Sequence, residues 1–394
     1  MQYLSDRINR LETSATLAMA AKARELRAEG KKIIGLSLGE PDFNTPDFIK
    51  EAAIQAIQDN YNSYTPVDGY DELKQAIITK FKRDNNLSYD KSQIVVSTGA
   101  KQSLANVAMV CINPGDEVIL PAPYWVSYSD IVSIAEGVPV VVQTHIENDF
   151  KMTPEQLEAA ITPKTKMLWY SSPCNPSGSL YSKEELRALA DVLKKHPNIV
   201  VVSDEIYEHI NFVGGHVSMA QFEDMYERTV TVNGVSKAFA MTGWRIGYIG
   251  APTAIARACN KIQGQFTSGA NCIAQRATIA ALEAPVSKIA YMVDKFKERR
   301  TLILDLLKEV PGFQCNSPEG AFYVFPNVTD LFGKSFRGKQ INNATDLSMY
   351  LLEEAQVATV TGEAFGNPNC IRISYAASEE DITQAIQQIK AALS

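Results

Sequence analysis

The strongest constraint on the fold is a series of seven apolar, β-branched segments in the middle of the chain. They are 94–99 (IVVSTG), 117–123 (EVILPAP), 138–144 (VPVVVQT), 166–173 (KMLWYSSP), 199–207 (IVVVSDEIY), 229–236 (TVTVNGVS) and 245–252 (RIGYIGAP). Several lack polar/apolar alternation, which is typical of strands buried on both faces. Helical patterns such as 101–111 and 182–195 lie between many of them. The series predicts an α/β domain with a mostly parallel seven-stranded sheet.

The rest of the chain predicts a smaller α+β domain. After residue 300 the strand candidates are GAFYVFPNV (320–328) and CIRISYAA (370–377), with helical patterns near 344–356 and 378–392. Other helical patterns lie at 15–29, 47–59 and 70–84, and a longer one at 285–309 bridges the two domains. We predict an N-terminal arm that forms part of the small domain (1–46), a large domain (47–299) and a small C-terminal domain (300–394).

Composition excludes several classes of function. The 394 residues carry a net charge of -7, and nucleic-acid binding requires a basic surface. The six cysteines are scattered without a CxxC pair, so neither a disulfide framework nor a zinc site is predicted, and we expect no metal. No apolar run reaches 18 residues, and the first 16 residues carry charges where a signal peptide is apolar. These features predict a cytoplasmic protein.

Polar side chains follow several of the predicted strands. Asn175 follows the segment at 166–173, Asp204 and Tyr207 end the next segment, and Lys237 follows TVTVNGVS. Ligands of open α/β sheets bind beyond the carboxyl ends of the strands. An amide, an acid, a phenol and an amine are therefore expected on one rim.

A second group of residues predicts an anion site. In STGAK, Gly99, Ala100 and Lys101 end a strand and open a helix, whose first N–H groups and dipole favour an anion. Arg245 can add a forked donor, and Trp125 an aromatic face. Taken singly, Lys237 is more often a solvated lysine, and Trp125 more often a core residue. Their order along one α/β chain favours a ligand with a phosphate and a planar ring.

The ordered motifs resemble those of a known family. The motifs are SLGEPDF, STGAKQ, PYWVSY, SSPCNPSG, VSDEIYEH, SKAFAMTGWRIGY and IRISYA. They resemble the class I aminotransferases of the fold-type I pyridoxal-phosphate superfamily, most of all the bacterial aspartate aminotransferases, over nearly the whole chain. The resemblance implies a fold-type I homodimer that transfers the amino group of aspartate to 2-oxoglutarate, giving oxaloacetate and glutamate by a Schiff-base ping-pong reaction.

The resemblance also implies roles around pyridoxal 5'-phosphate. Lys237 matches the Schiff-base lysine and proton shuttle, and Asp204 matches the partner of the ring nitrogen. The other implied cofactor contacts are Tyr207 and Asn175 at the phenolic oxygen, Trp125 on the ring, Gly99, Ala100, Lys101, Ser236 and Arg245 at the phosphate, and Tyr64 at the phosphate of the partner subunit. Many relatives carry a phosphate-binding serine where this chain has Gly234.

Substrate contacts follow from the same resemblance. Arg372 matches the arginine that clamps the substrate α-carboxylate, and Gly39 matches a backbone contact to that group, with Trp125 and Asn175 also at the substrate. Lys101, Ser14 and Thr16 match the contacts of a second carboxylate, which favours a dicarboxylic substrate. Relatives that use prephenate carry a lysine where this chain has Glu12, which disfavours prephenate.

Other functions stay open at this point. An aminotransferase for prephenate, aromatic amino acids, alanine or kynurenine would share the cofactor residues, as would a pyridoxal-phosphate lyase such as a carbon–sulfur lyase or a cyclopropane-forming synthase. An aminotransferase-like transcription regulator is disfavoured because the N-terminal segment is too short for a DNA-binding domain. A nicotinamide dehydrogenase is disfavoured because no GxGxxG follows the first strand.

Overall fold

The structure, a computed structural model, describes residues 3–11 and 15–394. Its helices are α1 (Asp6–Asn9), α2 (Ala15–Ala28), α3 (Asp47–Gln58), α4 (Asp71–Asn85), α5 (Ala100–Cys111), α6 (Ser127–Ile134), α7 (Pro154–Ala160), α8 (Lys183–Lys194), α9 (Glu223–Tyr226), α10 (Thr253–Phe266), α11 (Cys272–Glu283), α12 (Ala290–Leu307), α13 (Ala344–Glu354) and α14 (Glu379–Ala392). Its strands are β1 (Ile34–Gly35), β2 (Ile94–Ser97), β3 (Glu117–Ala122), β4 (Val138–Gln143), β5 (Thr165–Ser171), β6 (Val200–Asp204), β7 (Thr229–Gly234), β8 (Gly247–Gly250), β9 (Tyr323–Val324), β10 (Ser335–Phe336), β11 (Lys339–Gln340), β12 (Val357–Ala358), β13 (Val360–Thr361) and β14 (Ile371–Ser374).

The seven predicted segments form one sheet, in the order β2-β8-β7-β6-β5-β3-β4. Strands β3 to β7 pair in parallel, whereas β8 is antiparallel to both β2 and β7. The reversal follows from the short connection between β7 and β8, which contains no crossover helix. The predicted fold class, an α/β fold with a mostly parallel seven-stranded sheet, is confirmed.

Both faces of this sheet are covered, which explains the continuous apolar strands. Along β5, Met167 and Trp169 pack with α5, α6 and α10, whereas Leu168 and Tyr170 pack with α7 and α8. At the β2–β8 end of the sheet a third cluster joins it to α3, α4 and α11.

The C-terminal part has a separate small sheet. Strands β13, β14 and β9 form it with antiparallel pairing, and the hydrophobic core beside it includes residues from α12, α13 and α14. Strand β1 pairs in parallel with β12, which ties the N-terminal segment to this part. Helix α12 runs continuously through the predicted boundary at residue 299. The domain limits stay a prediction.

Among the described residues, no helix combines the length and the apolarity that crossing a bilayer requires.

Candidate active site

A cavity of about 310 Å³ lies where strands β5 and β6 and the loop after β7 end. Most of the side chains proposed from the sequence line it, together with residues that were not proposed. The proposed residues among its walls are Gly39, Ala100, Lys101, Trp125, Asn175, Asp204, Tyr207, Ser236, Lys237, Arg245 and Arg372. The strand ends therefore bring the predicted amide, acid, phenol and amine together.

Lys237 presents a partly desolvated amine to the cavity. Its Nζ donates a hydrogen bond to the carbonyl oxygen of Gly39 over 2.7 Å. Burial, and to a lesser extent the positive charges of Arg372 and Arg245, lowers the pKa of Lys237 to about 8. The free amine is therefore far more populated near neutral pH than in an ordinary lysine, which suits a nucleophile or a base.

Asp204 is the last residue of β6, and two donors fix its carboxylate. The hydroxyl of Tyr128 donates to Oδ2 over 2.6 Å, and the N–H of Ile206 donates to Oδ1 over 3.2 Å. Burial raises the pKa of Asp204 to about 6, although both hydrogen bonds oppose the rise. At neutral pH the group is a buried anion that favours a cationic partner.

Arg372, on β14, is a buried cation held mainly by uncharged groups. Its Nη1 donates to Oδ1 of Asn175 over 3.0 Å, and its Nη2 donates to the carbonyl oxygen of Ser37 over 2.5 Å. The residue is 2% exposed, and in the described part of the chain it forms no ion pair with a carboxylate. A buried charge without a counterion is costly, so this arrangement indicates an anionic ligand.

Another part of the cavity wall combines a helix start with an arginine. Gly99 has φ +82°, and a Cβ added to it would lie 2.3 Å from Nη2 of Arg245. The glycine therefore allows the guanidinium to pack against the start of α5. Within the described residues, the N–H groups of Ala100 and Lys101 have no backbone acceptor. These donors and Arg245 form a second anion site.

The glycine at position 234 has a packing reason. Gly234 ends β7 opposite Gly247 of β8, and an added Cβ would lie 2.9 Å from the carbonyl oxygen of Ile246. A serine here would press on β8 rather than extend into the cavity. Ser236, two residues later, does line the cavity.

Lys101 and Trp125 occupy one side of the cavity together. Lys101 Nζ lies 4.8 Å from the centre of the Trp125 ring. Partial burial and the nearby Arg245 lower the pKa of Lys101. Ser14 and Glu12, and the side chain of Thr16, lie outside the described residues, so the predicted hydroxyl contacts to a second carboxylate stay predictions.

Tyr64 does not line the cavity of its own chain, and it is 99% exposed. Two other tyrosines that the sequence did not single out do line it. Tyr128 holds Asp204, and Tyr323 places its hydroxyl oxygen 2.7 Å from that of Tyr207. Tyr128 lies within the PYWVSY motif, whereas Tyr323 lies in an apolar strand pattern and gave no signal.

The fold and the cavity define an α/β protein with two candidate anion sites and a reactive amine in one cavity. The sequence profile of the family described as aminotransferase class I and II matches residues 31–389. An aspartate/prephenate aminotransferase from Nitrosomonas europaea is 50% identical over 395 residues, which cover 99% of this chain and 100% of that protein.

Solved structures agree with this family. The aspartate aminotransferase from Rhizobium meliloti matches with a TM-score of 0.97 and 45% identity, covering 100% of this chain and 99% of that one. The Thermus thermophilus aspartate aminotransferase with maleate matches with a TM-score of 0.94 and 40% identity over 100% of both chains. The chain belongs to the class I and II aminotransferases, and the predicted enzyme class is confirmed.

Proposed function

We propose that the protein is a pyridoxal-phosphate-dependent aminotransferase that passes the amino group of aspartate to 2-oxoglutarate. One observation carries the proposal: a lysine with a lowered pKa and a buried arginine without a carboxylate partner among the described residues line the same cavity. The amine suits carbonyl chemistry, and the arginine suits an amino-acid carboxylate. The names of the similar proteins support aspartate as the amino donor.

The residues of the cavity fit pyridoxal phosphate. Its phosphate fits the guanidinium of Arg245, the two N–H groups at the start of α5 and the space left by the missing side chain of Gly99. Its ring nitrogen fits the ionised carboxylate of Asp204. Tyr207 and Asn175 supply hydrogen-bonding groups for its phenolic oxygen, and Trp125 lies in the cavity wall as a stacking group. When bound, the cofactor supplies an electron-withdrawing ring that stabilises negative charge at the substrate Cα.

The roles of the protein groups follow from their chemistry. We assign to Arg372 the fixing of the substrate carboxylate, so that the C–H bond at Cα is held in one orientation. The Nζ of Lys237 removes the proton from Cα, because its lowered pKa leaves a free amine near neutral pH. Asp204 keeps a proton on the ring nitrogen, and Tyr128 keeps the Asp204 carboxylate in position.

Absorbance titration of the purified protein with bound cofactor tests this function. We expect aspartate and glutamate to convert the cofactor to its amine form, with oxaloacetate and 2-oxoglutarate as the respective products. Alanine and phenylalanine serve as comparison substrates. No spectral change with either dicarboxylic amino acid contradicts the proposal. Release of pyruvate and ammonia without a keto-acid acceptor indicates a lyase instead.

Lys101 is proposed to bind the second substrate carboxylate. We expect Lys101→Ala to raise the KM for aspartate about fivefold, which corresponds to about 1 kcal/mol for one partly exposed ion pair, and to leave the KM for alanine unchanged. Lys183→Ala is the matched control, because Lys183 begins α8 and does not line the cavity. Steady-state kinetics measure both values. Equal effects on aspartate and alanine contradict a role in recognising the second carboxylate.

Prephenate is the second candidate, as an amino acceptor. The Nitrosomonas europaea protein, similar along its full length, is named for both aspartate and prephenate. This name weighs against the expectation drawn from Glu12, which lies outside the described residues. The test is whether prephenate, like 2-oxoglutarate, converts the amine form of the cofactor back. Conversion by both shows two amino acceptors, and conversion by 2-oxoglutarate alone shows one.

We also propose a homodimer in which Tyr64 reaches the cofactor phosphate of the partner subunit. Tyr64 is exposed and lies outside its own cavity, and an open cleft of about 660 Å³ gives access to the other side of Arg245. Exposed apolar side chains on α3 and α10, Ile54, Ile57 and Phe266, support a contact surface.

Tyr64→Phe tests this arrangement. We expect the dissociation constant for the cofactor to rise about fivefold, the value of one hydrogen bond, while sedimentation still shows a dimer. Tyr3→Phe, at another strongly exposed tyrosine, should leave the constant unchanged. A monomer with full activity contradicts the proposal.

A further inference from the structure

We propose that Tyr323 is a positioning residue that orients two groups at once, the hydroxyl of Tyr207 and the guanidinium of Arg372. The inference rests on the proposed function, because these groups are assigned there to the cofactor and to the substrate carboxylate. Tyr323 would then link the position of the cofactor's phenolic oxygen to that of the substrate carboxylate. The sequence pattern does not indicate this role, because Tyr323 lies in the apolar segment GAFYVFPNV.

Several contacts of Tyr323 are with groups of the site. The side chain is fully buried, and its hydroxyl oxygen lies 2.7 Å from that of Tyr207. Its ring centre lies 4.6 Å from Cζ of Arg372. A Cβ added to Gly39 would lie 2.3 Å from its hydroxyl oxygen, so it also borders the segment that accepts the hydrogen bond of Lys237.

Strand register fixes the contact with Arg372. Tyr323 on β9 pairs with Ser374 on β14, and Arg372 lies two residues before Ser374, on the same face of β14. A diagonal pair across antiparallel strands lies within reach of an aromatic side chain. Phe365 adds a second ring, whose centre is 4.9 Å from the guanidinium carbon. The two rings restrict the plane of the guanidinium, and with it the direction of its free donors.

The proposal assigns a direction to the hydrogen bond between the two hydroxyls. Two hydroxyls at 2.7 Å share one hydrogen bond, so one of them donates and the other accepts. Burial raises the pKa of both tyrosines, and the charge of Arg372 opposes that rise at both. The proposed role requires Tyr323 to be the donor. The oxygen of Tyr207 accepts, and its own hydrogen is left for an acceptor in the cavity. Donation into Tyr207 also makes Tyr207 a stronger donor, because chained hydrogen bonds polarise each other.

Tyr323→Phe isolates the effect of the hydroxyl. The ring beside Arg372 is kept, so we expect the KM for aspartate to stay within about twofold. The weaker donor at the phenolic oxygen should raise the pH at which the absorbance of the bound cofactor changes, by roughly 0.5 pH unit. The dissociation constant of pyridoxal phosphate for the cofactor-free protein, measured by fluorescence quenching, should rise roughly threefold.

Tyr375→Phe is the matched control. Tyr375 directly follows β14 and is fully buried, its hydroxyl donates to the carbonyl oxygen of Ala321, and it does not line the cavity. It should behave like the wild type in both measurements. If Tyr323→Phe also matches the wild type, or lowers the transition pH, the role at Tyr207 is overturned.

Tyr323→Leu tests the second contact. Loss of the ring should raise the KM for aspartate and for 2-oxoglutarate roughly tenfold, with a smaller effect on kcat, because Arg372 loses its orientation. Unchanged KM values for both substrates overturn the proposed orientation of Arg372 by the Tyr323 ring. A failure of the proposed function gives a different result, because the wild type itself then binds no pyridoxal phosphate or does not react with aspartate.

Discussion

Lys237→Ala is expected to lower the turnover of aspartate by roughly 10⁴-fold or more, because it removes both the nucleophile and the base of the proposed reaction. The other lysine that lines the cavity, Lys101, cannot take over, because its Nζ lies against the Trp125 ring. Removing a desolvated amine relieves a burial cost, so the variant should fold. Single-turnover absorbance measurements with aspartate give the rate, and circular dichroism checks the fold.

Lys237→Arg separates the amine from the charge. A guanidinium stays protonated at every accessible pH, so it keeps the positive charge but can act neither as a nucleophile nor as a base. We expect this variant to be as inactive as Lys237→Ala. Activity above about one hundredth of wild type would mean that the charge alone matters. Borohydride reduction of the wild type, followed by peptide mass mapping, should place the mass of the cofactor on the Lys237 peptide and not on the Lys101 peptide.

The sequence predicted the main sheet well because its strands are buried on both faces. Alternate residues of β5 pack against different layers of helices, so both must be apolar, and the run is continuous. The order of the strands and the reversed direction of β8 were not predicted. They depend on how the connections cross the sheet, which no local pattern encodes.

The C-terminal part was predicted less completely. Its strands β12 and β13, and the N-terminal strand β1 that pairs with β12, have two residues each, too few for a period of two to show. They form because tertiary packing brings their partners together: β1 pairs with a strand more than 300 residues later. The longer α13 and α14, which have buried apolar faces, lie within three residues of the predicted limits.

The residues of the candidate site also divide into those that a local sequence pattern predicts and those that depend on tertiary packing. Residues that follow strands, such as Asp204 and Lys237, could be predicted because polar groups at strand ends contrast with their surroundings. Tyr323 could not, because a tyrosine within an apolar segment is typical of the core, whereas Tyr128 lies within the PYWVSY motif but was not singled out. Gly234 was taken as a missing hydroxyl, whereas the structure shows that the close approach of β7 and β8 leaves no room for a Cβ.

Arg372→Lys is expected to lower kcat/KM for aspartate and for 2-oxoglutarate by roughly 10²- to 10³-fold, or about 3 to 4 kcal/mol of binding at the carboxylate. A lysine is a point charge and cannot hold Asn175, the Ser37 carbonyl and a carboxylate in one plane, as the guanidinium can. Both substrates carry the same α-carboxylate, so both half-reactions should lose a similar factor. The dissociation constant of the cofactor should change less than kcat/KM, because Arg245 and the N–H groups at the start of α5 are retained.

Arg299→Lys is the matched control, and the contrast explains why the two arginines should differ. Arg299 is also buried beside two aromatic rings, those of Phe43 and Phe296, but it pairs with Asp42 and Glu379. Its counterions belong to the chain, so its replacement should lower the melting temperature and leave both KM values unchanged. Arg372 has no such carboxylate among the described residues, so the anion that completes it must come from a ligand. Equal kinetic effects of the two substitutions would show that Arg372 is a structural cation, and the assignment of the substrate carboxylate would be wrong.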